Sequence, residues 1–383
     1  MLPSQRALFD IPADICYLNA ASFSPLPLAV QEAGRTGVAR KGRPWELDPA
    51  FAGQIHERTR RAAAALINAD PQDIALVSSV AYGVATAGKL VTIPRGHRVL
   101  VLHEDHSSPV LEWMTRGQAA GFTIETVPQP EDGDWTTAVL AAIERPGAPP
   151  LALASISSIH WSDGGALDLD RIATALRAQG ALLLLDATHG VGVMHMDVRK
   201  LDPDFLMFPT YKWVLGPYGR AFLYVAKRHQ DGIPLEQTGY GRRSISAEQT
   251  PYMKDTAYTA GARRFDMAER DHFISMEMAA VGMEMMAGWG HAAIRERLAM
   301  LTHRLAEALG NIGDVRVPDP KLRAPHILSL GFRRGLPEGL TDRLAAERVY
   351  VAPRLGRIRI SPHVYNDEND IERFASVFRR LTS

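Results

Sequence analysis

The chain has 383 residues, of which 43 are acidic and 43 basic, a balance that favours neither nucleic acid nor an anionic membrane surface as partner. Its single cysteine, Cys16, excludes an internal disulfide framework and a cysteine-rich metal site, and fits a reducing cytoplasm. No run approaches the ~18 apolar residues of a membrane span and the N-terminus holds no apolar core of signal length, so a soluble cytoplasmic protein of about two domains is expected.

Residues 1–30 are proline-rich and read as an N-terminal segment of mostly irregular structure. Within it Tyr17-Leu18-Asn19-Ala20-Ala21 reads as a short strand. Over 50–69 the spacing predicts an amphipathic helix, with the run Arg58-Thr59-Arg60-Arg61 on its solvated side. Asp70-Pro71-Gln72-Asp73 breaks that helix, and 74–77 is a short strand. Ser78-Ser79-Val80-Ala81-Tyr82-Gly83 then leads into helical spacing over 84–90. A strand, a small-residue turn and a helix start form an anion site, because free backbone N–H groups point outward and the helix dipole favours negative charge. Ser79 reads equally well as a simple N-cap.

A strand over 98–102 ends in His103-Glu104-Asp105-His106-Ser107-Ser108. Two histidines beside two acids match no common zinc spacing, so no metal is expected. Another strand, 151–156, opens into Ser157-Ser158-Ile159-His160-Trp161, and 167–179 is a helix. The alternation of strand and helix from 74 to 225 argues for a mostly parallel sheet.

The apolar run 181–185 is too short for a helix and is ended by Asp186, the pattern of a fully buried parallel strand with a carboxylate at its C-terminal edge. A second run, 205–208, leads to Thr210-Tyr211-Lys212, and 221–225 is a third. An acid and a lysine thus stand at the ends of neighbouring strands, where open α/β sheets bind ligands. Pyridoxal phosphate needs that pair. The lysine amine forms a Schiff base, and the carboxylate keeps the ring nitrogen protonated so that the ring accepts electrons from the substrate's Cα. A nucleotide site would need a G-x-G-x-x-G turn after a strand, and Gly190-Val191-Gly192 lacks the third glycine.

Farther on, the methionine-rich helix over 273–289 reads as core filling. Helices over 292–309, 340–347 and 367–381 mix with strands over 326–332, 350–351 and 356–361, as suits a smaller α+β unit. Turned inward on the last of these strands, Arg359 calls for an acidic partner. Arginine is also the side chain best suited to a planar grip on a carboxylate.

DATHGVG at 186–192 followed by TYKWVLGPYG at 210–219 resembles the class V aminotransferase family of fold-type I pyridoxal-phosphate enzymes, and the resemblance covers nearly the whole chain. That group includes cysteine desulfurases, kynureninases, isopenicillin N epimerase-like proteins and C–S lyases. It implies an α/β fold: a large domain over 31–265, with a mostly parallel mixed sheet sandwiched by helices, and a smaller C-terminal α+β domain over 266–383. It implies Lys212 as the Schiff-base lysine and base near Cα, Asp186 on the ring nitrogen, and His106 stacked on the ring. The backbone N–H groups of Val80 and Ala81 would hold the phosphate together with Tyr211, and His189 would lie near the cofactor's 3-hydroxyl. Arg359 would bind the substrate α-carboxylate. Asn19 is implied near the site, as are Ser158, His160 and Trp161, with no choice made among those three. The segment GARRFD (261–266) implies a loop that approaches the partner's site in a homodimer.

Three departures stand out. The turn at Ser79 lacks the threonine many relatives carry, Pro209 stands where desulfurases have a serine, and Glu269 stands where several relatives place a phosphate-binding threonine. Desulfurases also carry a mobile cysteine upstream of the carboxylate-binding arginine, and 348–357 has none. The function implied is a pyridoxal-phosphate enzyme acting at the α-amino group and Cα of an amino acid, with aminotransfer first. The alternatives are a β-eliminating C–S lyase, an epimerase and a kynureninase-like hydrolase. A non-enzymatic binding protein on a retired fold fits less well, because Lys212, Asp186, His106 and Arg359 are all retained.

Overall fold

The computed structural model describes residues 2–48, 50–243, 255–270 and 273–382. After strand β1 (Cys16–Tyr17) and helices α1 (Leu28–Lys41) and α2 (Phe51–Leu66), strands and helices alternate. They run β2 (Ile74–Val77), α3 (Val80–Leu90), β3 (Arg98–Leu102), α4 (Ser107–Ala120), β4 (Thr123–Val127), α5 (Trp135–Ile143), β5 (Leu151–Ser157), α6 (Leu169–Ala178), β6 (Leu182–Asp186), α7 (Val198–Leu201), β7 (Phe205–Pro209) and β8 (Ala221–Val225). Helices α8 (Ser275–Trp289) and α9 (His291–Leu309) lead to β9 (Val315–Arg316), β10 (Leu328–Phe332), α10 (Leu340–Ala346), β11 (Val349–Tyr350), β12 (Ala352–Arg354), β13 (Arg357–Ile360) and α11 (Glu368–Thr382).

The large sheet has the order β2-β8-β7-β6-β5-β3-β4. Every strand in it is parallel except β8, which runs antiparallel to both neighbours. The strands β2, β3, β7 and β8 are buried at every position, because helices cover both faces. Ala75, Val77, Leu184, Met207 and Leu223 meet Val80, Val84 and Trp113 from α3 and α4 on one face. Leu76, Leu185, Leu206 and Phe222 pack into a larger cluster on the other, with α2, α5, α6 and α8. The C-terminal ends of six parallel strands therefore share one edge, and their loops converge there.

A four-stranded antiparallel sheet of order β12-β13-β10-β9 forms the second region. The N-terminal segment joins it: β1 pairs in parallel with β11, Cys16 opposite Val349 and Tyr17 opposite Tyr350, and Asn19 bridges to Ser361. The strand expected over 17–21 is therefore shorter and begins one residue earlier, because the strand it pairs with among the described residues, β11, is two residues long.

One expectation is corrected outright. The arginine run on α2 is not a solvated face: Arg60 is only 1 % exposed, and Thr59 is buried with it. Arg60 Nη1 lies 2.8 Å from Asp266 Oδ1, its Nη2 bonds Asp266 Oδ2, and Nη1 also donates to Ile74 O at 2.6 Å. Asp266 Oδ1 in turn accepts Leu76 N–H at 2.9 Å. The carboxylate that makes this burial tolerable lies 206 residues away, so no local pattern announces it. Arg58 reaches Glu284 on α8, and only Arg61 of the run is exposed.

Candidate active site

At the shared strand edge lies a cleft of about 230 Å³, lined among others by Ser79, Val80, Ala81, His106, Asp186 and Lys212. A second, about 410 Å³, adjoins it and shares His106, Trp161, Tyr211 and Lys212. Lys212 follows β7 by three residues, in a turn anchored by the buried side chains of Trp213, Val214 and Leu215. Gly216 N–H closes that turn on Thr210 O at 2.8 Å. No larger residue fits at 216, because a Cβ there would lie 2.6 Å from the Thr210 Cβ. Burial first, then the charge of Arg359, bring the Lys212 amine down to about 8, with Asp186 pulling the other way. A sizeable neutral fraction is therefore present at physiological pH.

Asp186 ends β6, is buried, and accepts Thr188 N–H at 2.9 Å. His189 lies between it and the C-terminal region. Trp213 Nε1–H donates to His189 Nδ1 at 3.0 Å. An indole N–H only donates, so Nδ1 accepts and the neutral ring carries its proton on Nε2. That Nε2 is 3.5 Å from Lys212 Nζ. Burial, followed by the charges of Lys212 and Arg359, holds the His189 ring well below the usual histidine range. His363 stacks on Trp213 at 5.5 Å, and His326 Nε2–H donates to His189 O at 2.7 Å.

Helix α3 starts where β2 ends. Ser79 Oγ caps it by accepting Tyr82 N–H at 3.1 Å, and no described hydrogen bond uses the N–H groups of Val80 and Ala81. So Ser79 is an N-cap and the turn still offers two free donors to the cleft. His106 stands at the head of α4 with its ring edge-on to Trp161, 6.2 Å between centroids. Tyr211 lies 4.2 Å from Tyr218, ring to ring, at the rim.

Arg359 on β13 is 1 % exposed and donates from Nη1 to Trp161 O at 2.6 Å and from Nη2 to Ser22 Oγ at 2.9 Å. Its Nε has no partner, and among the described residues no carboxylate pairs with it. Burial, then the neighbouring charge of Arg354, bring its guanidinium down to about 9. Arg354 Nη2 bonds the same serine oxygen at 2.8 Å. A buried guanidinium without a described counter-charge is costly in itself and suits a carboxylate.

Of the other expected residues, Trp161 lines both clefts, with its indole N–H fixed on Glu104 O at 2.6 Å. His160 does not line them. Its ring stacks on Trp135 at 4.6 Å and lies 3.2 Å from Asp163. Ser158 is buried beside the cleft with its Oγ unpartnered, while Ser157 lines the wall. Asn19 also stays outside, and the turn it begins delivers Ser22 and Phe23 instead.

Sequence reasoning missed Ser22, Arg354, Arg220, Trp213 and Asp105. Asp105 accepts His106 N–H at 2.7 Å, Ser157 N–H at 3.1 Å and Ser157 Oγ–H at 2.7 Å, which ties the His106 loop to β5. Burial, with the Asp186 charge adding to it, pushes its carboxyl up to about 6. Its signal in the sequence is an acid beside the strand-end histidine, a pattern that by itself points as readily to a metal ligand.

A model of the family described as aminotransferase class-V matches residues 47–374. The chain belongs to that family. As a class-V aminotransferase-family protein it uses pyridoxal phosphate, and the residues present fit that group. An amine, a buried carboxylate and a helix start with two free N–H donors line one cleft of suitable size. An uncharacterized aminotransferase of Bacillus subtilis is 28 % identical over 97 % of this chain and 95 % of its own. Isopenicillin N epimerase of Amycolatopsis lactamdurans is 23 % identical over 98 % of both. Among solved structures, a cysteine desulfurase from Thermococcus onnurineus superposes with a TM-score of 0.84 at 20 % identity, covering 98 % of this chain and 97 % of that one. This superposition establishes the fold-type I architecture of pyridoxal-phosphate enzymes. Among the described residues no helix is long and apolar enough to cross a membrane, and no group of side chains is placed to hold a metal.

Proposed function

We propose that the protein is an aminotransferase acting on the α-amino group of a carboxylate-bearing amino acid. The observation that carries this reading is the buried Lys212 amine, which feels both the Asp186 carboxylate and the Arg359 guanidinium, the latter without a carboxylate partner among the described residues. When bound, pyridoxal phosphate supplies an electron sink that loosens the bonds at the substrate's Cα.

The chain's own residues supply the rest. Arg359 takes the substrate carboxylate, with Nη1 and Nη2 already aimed by Trp161 O and Ser22 Oγ. Lys212 Nζ accepts and returns the proton at Cα, an exchange suited to an amine with its pKa near 8. His189 presents Nε2–H toward that nitrogen and cannot act as a base there, because its free lone pair is spent on Trp213. His106 and Trp161, which line both clefts, offer aromatic walls to the bound cofactor and substrate.

Persulfide chemistry has no nucleophile here. Cys16 Sγ is buried against Asp370 O and lines neither cleft, and burial pushes its thiol up. We also read the active form as a homodimer. Phe23, 58 % exposed, and Tyr218, 69 % exposed, stand 6.1 Å apart at the cleft mouth, and a second copy would cover them.

The test is the absorption spectrum of the cofactor-loaded protein mixed with single amino acids and no keto acid. Aminotransfer converts the cofactor once, stoichiometrically, and releases one equivalent of keto acid. Turnover with ammonia or sulfide accumulating would instead establish β-elimination or C–S cleavage. Replacement of Lys212 by Ala should abolish the visible cofactor band, and a variant that kept it would remove Lys212 from the assignment.

A further inference from the structure

We propose that Arg220 is the cation that holds the phosphate of the cofactor. This rests on the reading of the cleft as a pyridoxal-phosphate site. Arg220 immediately precedes β8. Because Val77 pairs with Ala221, it comes next to Ser78, at the turn from β2 into α3. It lines the same cleft as Ser79, Val80 and Ala81.

The side chain is 4 % exposed. Nε donates to Ser275 Oγ at 2.7 Å, and that is its one described side-chain hydrogen bond. Nη1 is sealed from solvent without a partner, and among the described residues no hydrogen bond is made by Nη2. Among the described residues no carboxylate pairs with it. A guanidinium so placed is costly, since burial penalises its charge and no carboxylate among the described residues offsets it. Arg60 and Arg98, equally buried, show the ordinary solution: each is matched by a carboxylate, Asp266 and Glu125.

The missing anion must come from the cleft. Beside Arg220 the start of α3 offers two more donors, Val80 N–H and Ala81 N–H, and a helix N-terminus favours negative charge. A guanidinium and two backbone amides around one point match a phosphoryl group, with its several acceptor oxygens and double charge. They match a ring nitrogen or a substrate amine poorly. Pro209, also lining this cleft, offers no donor. The Arg220 head therefore supplies the charge that the small-residue turn lacks, and Ser275, at the head of α8, fixes its direction.

The comparison that tests this uses two ligands differing only in the phosphate. Cofactor-free protein is titrated by absorption with pyridoxal phosphate and with pyridoxal. For Arg220→Met the Kd of pyridoxal phosphate should rise by about 10- to 100-fold, while that of pyridoxal changes by less than about two-fold. Arg220→Lys should recover part of the affinity for pyridoxal phosphate alone. Equal weakening for both ligands would mean a structural role only, and an unchanged Kd for pyridoxal phosphate would mean no role; either overturns the proposal. Should the methionine variant fail to fold, Arg220→Gln and Arg220→Lys carry the same comparison. Wild-type protein that takes up neither ligand would overturn the reading of the cleft itself, a result separable from any effect at Arg220.

Discussion

Lys212 is held where its amine is half neutral near pH 8, and the two largest causes both lower it. Burial disfavours the ammonium, and Arg359 repels it. The sign is testable: the neutral amine is the form that attacks an aldehyde, so in cofactor-free protein the rate of pyridoxal capture should rise through a midpoint near pH 8. Arg359→Met removes a cation that depresses this pKa, so the midpoint should move upward and the rate at pH 7 should fall. An unmoved midpoint would show that Arg359 does not tune the lysine. Single residues at the site were legible in uneven measure. Asp186 and Lys212 could be read because one ends an apolar run and the other follows one within a few residues, so their place near the strand edge is a local fact. Ser22 and Arg220 could not. Ser22 acquires its role from Arg359, 337 residues away, and Arg220 reads as a loop arginine until its burial and missing partner are seen.

Elements buried on both faces were legible almost to the residue. β2, β3 and β8 fall where the apolar runs place them, since a strand covered on both sides has to be apolar throughout. α1 and β4 were not anticipated. β4 lies at the sheet edge with only Val127 buried, so it shows no run at all. α1 carries Gly34 and Gly37, residues of low helix propensity. They are the surface on which α8 lies: a Cβ at Gly37 would come 2.7 Å from Phe273 O and 2.8 Å from Ile274 Cα. Gly37→Ala should therefore destabilise the protein by about 1–3 kcal/mol, although alanine favours an isolated helix by ~1 kcal/mol. Denaturant unfolding would decide it, and a stabilised variant would mean that α1 and α8 have room to separate.

The molecule brings distant segments together through buried polar junctions as well as through its core, and the one around Asp163 has a readable pH signature. Its carboxylate accepts Gln129 Nε2–H at 2.8 Å, Trp135 Nε1–H at 3.0 Å and Gly165 N–H at 2.8 Å, and faces His160 at 3.2 Å. These partners belong to the loops after β4 and β5 and to α5, so one side chain ties three connections together. Burial works against the charge of Asp163, but His160 and the other donors outweigh it and hold the carboxyl at about 2, below its ordinary 3.8. In the same pair the His160 ring is raised above its ordinary 6.5 by Asp163, against its own burial. The depressed carboxyl contributes stability that is complete above about pH 4 and is lost as pH falls through about 2. The raised histidine contributes stability that is complete below about pH 6.5 and is lost as pH rises through its folded value. Asp163→Asn should thus cost about 1–3 kcal/mol, most between pH 4 and 6.5, with the gap to wild type narrowing on both sides. Thermal unfolding of both proteins across pH 3 to 9 measures that gap. A gap independent of pH would show that Asp163 acts through its neutral hydrogen bonds alone, and that His160 is not its ionic partner.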